Sequence, residues 1–567
     1  MAFACGTTLV ACAAAPSDGL MYGGDDETSA GVAVGTEATT GSTDAGAGTS
    51  TATPTSGGTG TSTADADADT TAAGSVFDVG GRQDLGTRPV CSVVAQRGAV
   101  PPCVEQAPPD AFEPVVQWSW TDPVYSMSIA TPVVANLTDD NDDGVVDLCD
   151  VPDVVLTAMP AMGPGRIFVR SGDDGSPHFE IANFVNRRIT PALGDITGDG
   201  VPEILHVASN ILGTGPGNLV AFDAEQGAVL WTSEAGSGVV DYGGPALADL
   251  DADGDVEILL GGAVYDHEGL QLWNSGQDAG PAVGSVPIAA DLDDDGDLEV
   301  IHGARAYHHD GSLYYESVLA DETTHNGTPH IGNFDDDAEP EIVVLTSNGM
   351  SLLDHTGAAL WTDQRPTGDP AEPWTVWLKP GTVHDFDGDG AAEFATGSGQ
   401  HYAVYEIDAA GPSVVWQATV DDVTGSAAGT AFDFLGDGVA EAMYADESQL
   451  FVFDGDGVPL VTQTRESMTG FEYPVVADVD NDGSAEILVV SNFQASQAVP
   501  TPALQVIGDA DDRWIAARRI WNQHAYHVTN VREDGTVPAV QPKSWQSLNT
   551  FRVNAQVEDG GVCRPAG

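Results

Sequence analysis

The feature that most constrains this chain is a short acidic segment that recurs along most of its length. The four complete copies share the pattern D-x-D-x-D-G-x-x-E, and a short β-branched run follows each. Regular repeats indicate one architecture built from similar units, rather than the three or four unrelated domains that 567 residues would suggest. The acidic residues of these copies are Asp249, Asp251, Asp253 and Glu257; Asp291, Asp293, Asp295 and Glu299; Asp385, Asp387, Asp389 and Glu393; and Asp478, Asp480, Asp482 and Glu486.

Three further copies are incomplete. Thr197 and Leu435 each replace an acid, and Ala338 replaces the glycine in a copy that starts with Asn333. We expect weaker cation binding at these copies, with Leu435 the most damaging change because it offers no oxygen. Their remaining acids are Asp195, Asp199 and Glu203; Asp335, Asp337 and Glu341; and Asp433, Asp437 and Glu441.

The first copy is longer than the others. It fits a twelve-residue EF-hand-type loop, with Gly144 at position 6. Position 12 is usually Glu, and the shorter Asp150 puts a bidentate contact there in doubt. The sequence predicts an expanded cation loop whose ligands are Asp139, Asn141, Asp143, Asp147 and Asp150.

The chemistry of the loops points to calcium. Carboxylates at alternate positions project to one side of a turning loop, and the final acid can close the shell. Calcium takes six to eight oxygen ligands at about 2.3–2.6 Å in flexible geometry, and magnesium fits such a loop less well. The alternative, that these are merely solvated acidic turns, is disfavoured by four complete copies in register. We therefore expect several calcium ions as cofactors.

The segments around each loop predict an all-β fold. A Pro or Gly precedes the first ligand by four residues, and three short strands follow the loop, the last two joined by an Asp/Gly turn. Four short strands per repeat indicate a blade of a β-propeller. Eight copies predict eight blades, or seven if the atypical first copy is not a full blade.

The loops and their flanking segments resemble the FG-GAP/VCBS repeats of the integrin α-subunit head and of many secreted bacterial proteins. The resemblance implies a calcium-bearing propeller over residues 113–535, followed by a C-terminal tail over 536–567. A Trp-bearing strand at 115–120 precedes the first loop and is expected to complete the last blade. We expect Trp231, Trp273, Trp361 and Trp416 to dock between adjacent blades.

The N-terminal region predicts export. Residues 1–16 resemble a signal with a lipobox, in which Cys12 would carry the lipid, although no Lys or Arg precedes the apolar stretch. The alternative is an ordinary cysteine in a polar end. Residues 17–75 form a Ser/Thr/Gly/Ala/Asp-rich linker, and 76–112 a Cys-containing extension. We expect a cell-surface or outer-membrane lipoprotein, or a secreted protein, that meets the membrane only through its lipid.

Four cysteines remain for disulfides: Cys91, Cys103, Cys149 and Cys563. Cys91 with Cys103 closes a short loop and is the preferred pair, which leaves Cys149 for Cys563. Four cysteines allow three connectivities, and the sequence does not choose among them. The spacing makes a zinc site improbable.

Charge and motifs narrow the function. With 87 acids against 18 Lys and Arg, the net charge of −69 excludes nucleic-acid binding. No G-x-S-x-G elbow, zincin or Walker motif occurs. We favour a monomeric, non-enzymatic surface protein that binds a glycan, a matrix component or a partner protein. The alternative is an extracellular polysaccharide hydrolase or lyase on a propeller scaffold.

One segment outside the repeats, residues 518–530, concentrates groups that bind sugars, anions or metals. Two interpretations stay open for it. It is either a closing strand whose polar groups are satisfied by the fold, or a ligand site. The candidate ligand residues are Arg519, Trp521, His524 and His527.

Overall fold

The computed structural model describes residues 103–563 apart from 210–216, 237–241, 277–285, 320–326, 336, 371–376, 423–425, 493–500 and 559–560. The predicted export signal with Cys12, the linker over 17–75 and Cys91 lie outside the described residues. Within the described part, no helix has both the length and the apolar character needed to span a bilayer.

The described chain is almost entirely short β-strands. Two single-turn 3₁₀ helices occur, at Val528–Asn530 and Ser544–Gln546. In the first half the strands are β1 (Pro114–Trp120), β2 (Val133–Ala135), β3 (Asp153–Ala158), β4 (Gly165–Ser171), β5 (Pro177–Val185), β6 (Ala192–Gly194), β7 (Glu203–Val207), β8 (Asn218–Phe222), β9 (Val229–Gly236), β10 (Ala246–Ala248), β11 (Glu257–Leu260), β12 (Ala263–Tyr265), β13 (Gln271–Asn274), β14 (Ile288–Ala290), β15 (Glu299–His302), β16 (Arg305–Tyr307) and β17 (Leu313–Glu316).

The second half continues the same pattern of short strands. They are β18 (Thr328–Gly332), β19 (Glu341–Thr346), β20 (Gly349–Leu353), β21 (Ala359–Gln364), β22 (Thr382–His384), β23 (Glu393–Gly397), β24 (His401–Glu406), β25 (Ser413–Thr419), β26 (Gly429–Phe432), β27 (Glu441–Ala445), β28 (Gln449–Phe453), β29 (Pro459–Thr464), β30 (Val475–Ala477), β31 (Glu486–Val490), β32 (Leu504–Asp509), β33 (Val557–Glu558) and β34 (Gly561–Val562).

These strands form eight four-stranded antiparallel sheets, which are the blades of a propeller. In seven blades the four strands follow one another along the chain, from β2–β5 to β26–β29. The predicted all-β propeller is confirmed with eight blades, because the atypical first copy does belong to a full blade, β2–β5.

The eighth blade closes the ring with strands from both ends of the propeller. Its order is β30-β31-β32-β1, and the N-terminal β1 pairs antiparallel with β32 from Pro114↔Asp509 to Trp120↔Leu504. This confirms the predicted closure by the Trp-bearing strand. It also removes the free edge that an open ring would leave.

Tryptophans on the outermost strands dock onto the next blade, as predicted. Trp273 packs on Gly311, and its indole nitrogen donates to the His309 carbonyl at 2.8 Å. Gly311 has a φ of +82°, and a Cβ there would lie 2.7 Å from the indole, so only glycine fits this turn. Trp231 meets Gly269 and Trp416 meets Gly457 in the same way.

Residues 510–563, which we call the plug, return across the innermost strands of the blades. The backbone of Trp521 exchanges two 2.9 Å hydrogen bonds with Val134 on β2, and further bonds reach each of the other seven blades. The partner pairs on those blades are Leu193–Asn522, Leu247–Gln523, Ala289–Gln541, Asn333–Asn549, Val383–Phe551, Thr430–Arg552 and Val476–Asn554. The plug therefore fills the centre of the ring.

A disulfide joins the end of the plug to the start of the described chain. Cys563 bonds to Cys103, so the preferred Cys91–Cys103 pair and its companion Cys149–Cys563 are wrong. The reason is the return path of the plug. Gln556 donates to the Glu105 carbonyl at 3.1 Å, and the Glu558 carboxylate accepts the Val104 amide at 2.7 Å, which brings residues 460 apart in sequence together.

Candidate metal centres

All eight acidic loops lie on one face of the propeller, which we call the loop face. Each loop connects the innermost strand of a blade to the second strand, as in β10 to β11 and β22 to β23. The innermost strands occupy the same position in every blade and run in the same direction, so these connections emerge together. The other face, which carries the connections between blades, we call the opposite face.

The final acid of each loop is buried and holds the loop closed. In every blade one oxygen of this carboxylate accepts the amide of the residue just after the first loop position, at 2.7 to 2.9 Å. In the loop of β22–β23, for example, Glu393 accepts the Phe386 amide at 2.7 Å. One carboxylate oxygen is thereby committed to the backbone. The other is unpartnered in Glu393, whereas in Glu299 it contacts His308 at 3.0 Å and in Glu203 it accepts the Thr197 hydroxyl at 3.3 Å.

The first aspartate organises the turn in the same manner. In five loops, and in the segment 139–150 of the first loop, its carboxylate accepts the amide of the glycine five residues later, at 2.8 to 3.1 Å. That glycine has positive φ, such as +98° at Gly254 and +89° at Gly390. Glycine adopts this conformation without strain, which explains its place in the repeat.

The remaining carboxylate oxygens converge as a cation site requires. Ligand atoms of Asp385, Asp387, Asp389 and Glu393 all lie within 4.8 Å of one another. The same holds for three acids of the loops that begin at Asp249, Asp291 and Asn333. Four carboxylates this close repel one another strongly unless a cation neutralises them.

Two buried carboxylate oxygens without hydrogen-bond partners indicate that a cation fits these loops. Glu393 is fully buried and its Oε1 has no hydrogen-bond partner, and Oδ1 of the buried Asp478 has none either. A buried carboxylate oxygen without a donor costs several kcal/mol, roughly, unless a ligand satisfies it. These donors are all oxygen, which suits calcium.

Burial also changes the protonation of the loop acids in the absence of an ion. Desolvation raises the pKa of Glu203, Glu257, Glu299 and Glu341 to about 7, and that of Glu393 to about 8. The negative charges of neighbouring aspartates raise these pKa values further, whereas hydrogen bonds from backbone amides lower them. Without a cation these acids take up protons near neutral pH.

The first loop combines two elements. By strand register, Asn136 and Asp153 occupy the positions of the first and last acids of the other loops, because Ala135 pairs with Asp153 as Ala248 pairs with Glu257. The segment 139–150 is inserted between them. Buried Asp150 accepts the amides of Asp140 and Asp147, at 3.0 and 2.8 Å, so it closes the inserted loop.

Asp153 is a site residue that sequence reasoning missed. It accepts the Leu137 amide at 2.8 Å, the bond that Glu makes in the other loops, and burial raises its pKa to about 8. His178 lies 3.4 Å from it. The buried amide of Asn136 has no hydrogen-bond partner. Proline four residues before Asn136 was the available signal, since the same spacing precedes the other loops.

The loop between β14 and β15 contains a cation of the chain itself. The ammonium of Lys543, in the plug, lies 3.3 Å from Oδ2 of Asp291 and pairs with Asp294. Asp291 does not accept the glycine amide hydrogen bond that the corresponding aspartate accepts in the loops named above. Although this loop is complete in sequence, the Lys543 ammonium neutralises part of its negative charge.

The incomplete loops keep the turn but lose ligands. In the loop of β26–β27, Gly438 still donates to Asp433 at 2.9 Å, while Leu435 packs against the same core cluster as Phe112 and its carbonyl accepts the Ala107 amide. The leucine that replaces an acid therefore contacts the N-terminal segment. In the β18–β19 loop, the Asn333 side-chain amide donates to the Asp337 carbonyl at 2.8 Å.

The four candidate ligand residues of the plug are buried. Trp521 and His524 are at most 1% exposed, and Arg519 and His527 at most 7%. Arg519 pairs with Glu533 at 2.9 Å, and His524 contacts the Phe471 carbonyl at 3.1 Å. Burial lowers the pKa of His524 to about 3 and of His527 to about 4, so both are neutral at physiological pH. These polar groups therefore lie inside the protein, in the plug, rather than at its surface.

Comparisons with known proteins give the fold. The structure of the biofilm matrix protein Bap1 of V. cholerae is similar, with a TM-score of 0.65 and 22% identity, covering 80% of this chain and 100% of that one. The Bacillus licheniformis rhamnogalacturonan lyase PL11 gives a TM-score of 0.47 at 19% identity, covering 84% of each chain. No family model matches the sequence. No curated protein matches it either.

Proposed function

We propose that this protein is a calcium-binding propeller of the FG-GAP/VCBS type that acts outside the cell by binding a glycan, a matrix component or a partner protein without altering it. The observation that carries the calcium part is the convergence of buried, partly unpartnered carboxylate oxygens in repeated loops on one face. Calcium would be held by the loop acids and would make the face rigid.

Two features support a role outside the cell. The Cys103–Cys563 disulfide is of a kind that persists in oxidising compartments. The excess of acidic over basic residues is tolerable where millimolar calcium neutralises part of the negative charge. The predicted lipid at Cys12 and linker would then display the propeller at a distance from the membrane.

A binding role is favoured over catalysis by the filled centre of the ring. The plug makes hydrogen bonds to the innermost strand region of all eight blades, so it occupies the space around the axis of the ring. Ligands would then contact the faces or the rim.

A hydrolase or lyase is the second candidate, and one observation favours it. On the opposite face His401 Nδ1 lies 2.9 Å from Oδ2 of Asp369, and both side chains are partly exposed. Ser398 donates to the same carboxylate oxygen at 2.5 Å. A partly exposed histidine held by a carboxylate can act as a general base.

The test uses the purified chain and fractions of surface polysaccharide and surface protein from the producing organism. We expect retention of a component of one fraction in calcium and its loss in chelator, with no new reducing ends and no absorbance of unsaturated sugars at 235 nm. Retention of nothing would contradict the proposal. Cleavage that His401→Ala abolishes would establish the enzyme instead.

A further inference from the structure

Arginine is scarce in this acidic chain, yet four arginines lie within residues 166–188 of the first blade. Arg166 and Arg170 alternate with Phe168 on β4, so the three side chains share one face of the sheet. That face is directed at the eighth blade, whose outermost strand β1 ends at Trp120.

Aromatic rings surround both guanidinium groups. The Arg170 guanidinium lies 4.9 Å from the centre of the Trp120 ring, and that of Arg166 lies 5.1 Å from Tyr125 and 5.8 Å from Phe184. The rings also contact one another through Phe168. We call this set the arginine–aromatic stripe: Trp120, Tyr125, Arg166, Phe168, Arg170 and Phe184.

Five of the six side chains of the stripe are at least partly exposed, whereas Phe168 is buried beneath them. Phe184 is 43% exposed, while Trp120 and Arg170 are partly exposed. Arg166 stands at the start of β4, at the opposite face, where Arg187 donates to the Gly163 carbonyl at 3.4 Å. The stripe thus runs up the groove between the last and first blades towards further arginines on the opposite face.

The charges of the stripe are only partly neutralised within the protein. Arg166 pairs with Glu180, which lies on the neighbouring strand β5. Among the described residues Arg170 makes no ion pair, and its buried Nε has no hydrogen-bond partner. Asp122 and Glu180 act on Arg170 only at longer range. An anionic ligand would therefore find one unpaired guanidinium and one shared with a replaceable carboxylate.

We propose that the stripe binds an acidic polysaccharide, with uronic-acid carboxylates on Arg166 and Arg170 and sugar rings on the exposed parts of Trp120, Tyr125 and Phe184. The guanidinium fork matches a carboxylate, and exposed aromatic rings offer flat apolar surface to the C–H faces of pyranoses. A linear arrangement of alternating charge and ring fits a linear polymer. The inference rests on the proposed binding function and names its ligand class and its site.

A nucleic acid is a poorer occupant of this surface. Its dense phosphates would meet the net charge of −69 over the whole molecule, whereas uronic acids are separated by whole sugar rings. The local arginines offset that repulsion only along the stripe. Binding should accordingly strengthen with moderate salt screening of the distant acids and then weaken at high salt.

The test is calorimetric titration of the full chain in calcium with oligoglucuronate, with its methyl ester and with polyglutamate. We expect binding of oligoglucuronate alone. Arg166→Gln with Arg170→Gln should weaken it at least tenfold, and Phe184→Ala several-fold. Glu180→Gln should strengthen it because it releases Arg166. The matched control is Arg305→Gln, since Arg305 also begins a third strand and pairs with a glutamate, Glu316, on the fourth strand.

Equal binding of polyglutamate, or equal affinity of the arginine double variant and the Arg305→Gln control, would overturn the inference. So would absence of oligoglucuronate binding by the wild-type chain. Thermal melting in calcium, expected to be alike for all variants, shows that they fold. The proposed function has a separate test: it is contradicted if the chain retains neither surface fraction. If the chain retains a fraction but does not bind oligoglucuronate, only the proposed binding of uronic acids to the stripe is contradicted.

Discussion

The two faces of this propeller are built on opposite principles. On the loop face every blade repeats the same hydrogen bond from a buried acid to the backbone, with donor–acceptor distances that differ by only 0.2 Å. On the opposite face the groups described here differ between blades. The first blade has arginines and rings, while the sixth and seventh supply the buried pair of Lys379 and Asp422. Repetition builds the ring and the candidate metal centres, and asymmetry distinguishes the surface on which we propose that a ligand binds.

The largest effect should come from pH in the absence of calcium. Burial raises the pKa of five loop glutamates to about 7 or 8 in the folded chain, against about 4.3 when unfolded, so the folded state holds their protons more tightly. Stability present at low pH is then lost as pH rises through 7 to 8. We expect the melting midpoint in chelator to fall by more than 10 °C, roughly, between pH 5 and pH 8.

Calcium should abolish that fall, because the cation favours the charged carboxylates. Melts followed by circular dichroism at several pH values, with calcium and with chelator, provide the check. A midpoint in chelator that rises from pH 5 to pH 8 would mean that these acids are not buried together on the loop face.

The disulfide tests how much the attachment of the plug to residues 103–105 contributes to stability. Cys563→Ser releases the end of the plug from Cys103, and loss of a native disulfide costs about 2–5 kcal/mol. For a folded region of this size that corresponds to a drop of a few °C in melting midpoint, roughly. Cys149→Ser, which leaves the Cys103–Cys563 bond in place, is the control and should melt within 1 °C, roughly, of wild type.

A single loop should respond by itself. Glu393→Gln keeps an acceptor for the Phe386 amide but removes the charge that a cation needs. We expect one fewer bound calcium and a midpoint in calcium lower by about 3 °C, since one saturated site contributes about 2.7 kcal/mol at a hundredfold excess of ligand. Asp456→Asn, an exposed turn acid on the same face, should retain full stoichiometry. Unchanged stoichiometry in Glu393→Gln would remove this loop from the metal sites.

The smallest effect concerns the loop between β14 and β15, which contacts a lysine of the plug. Lys543→Gln removes the ammonium beside Asp291 and Asp294. Calcium affinity at that loop should rise several-fold, with little change in melting temperature, in direct titrations against wild type. A decrease in affinity would show that Lys543 supports the loop rather than competes for it.

The repeated elements of this molecule could be predicted from the sequence because they are local. A strand after each loop, a docking tryptophan and a terminal strand leave signals within a few residues, and β1 and Trp273 appear where expected. The eight copies left eight or seven blades open, and the pairing of β2–β5 decides for eight.

The remainder depended on contacts between distant parts of the chain. The composition of residues 518–530 marked that segment as unusual, but its place at the centre of the ring follows only when eight innermost strands enclose it. The Cys103–Cys563 bond depends on the same return path. Lys543, which contacts Asp291, is likewise 252 residues away in sequence. The sequence of this loop therefore gave no sign that a lysine lies beside its acids.

The most direct test of the account is to melt the purified chain in calcium and in chelator while counting bound ions by native mass spectrometry. Four saturated sites at about 2.7 kcal/mol each should raise the midpoint by about 10 °C. We predict at least four bound calcium ions and a rise of that order. An unchanged midpoint with no bound calcium would contradict the account and leave the acidic loops as solvated turns.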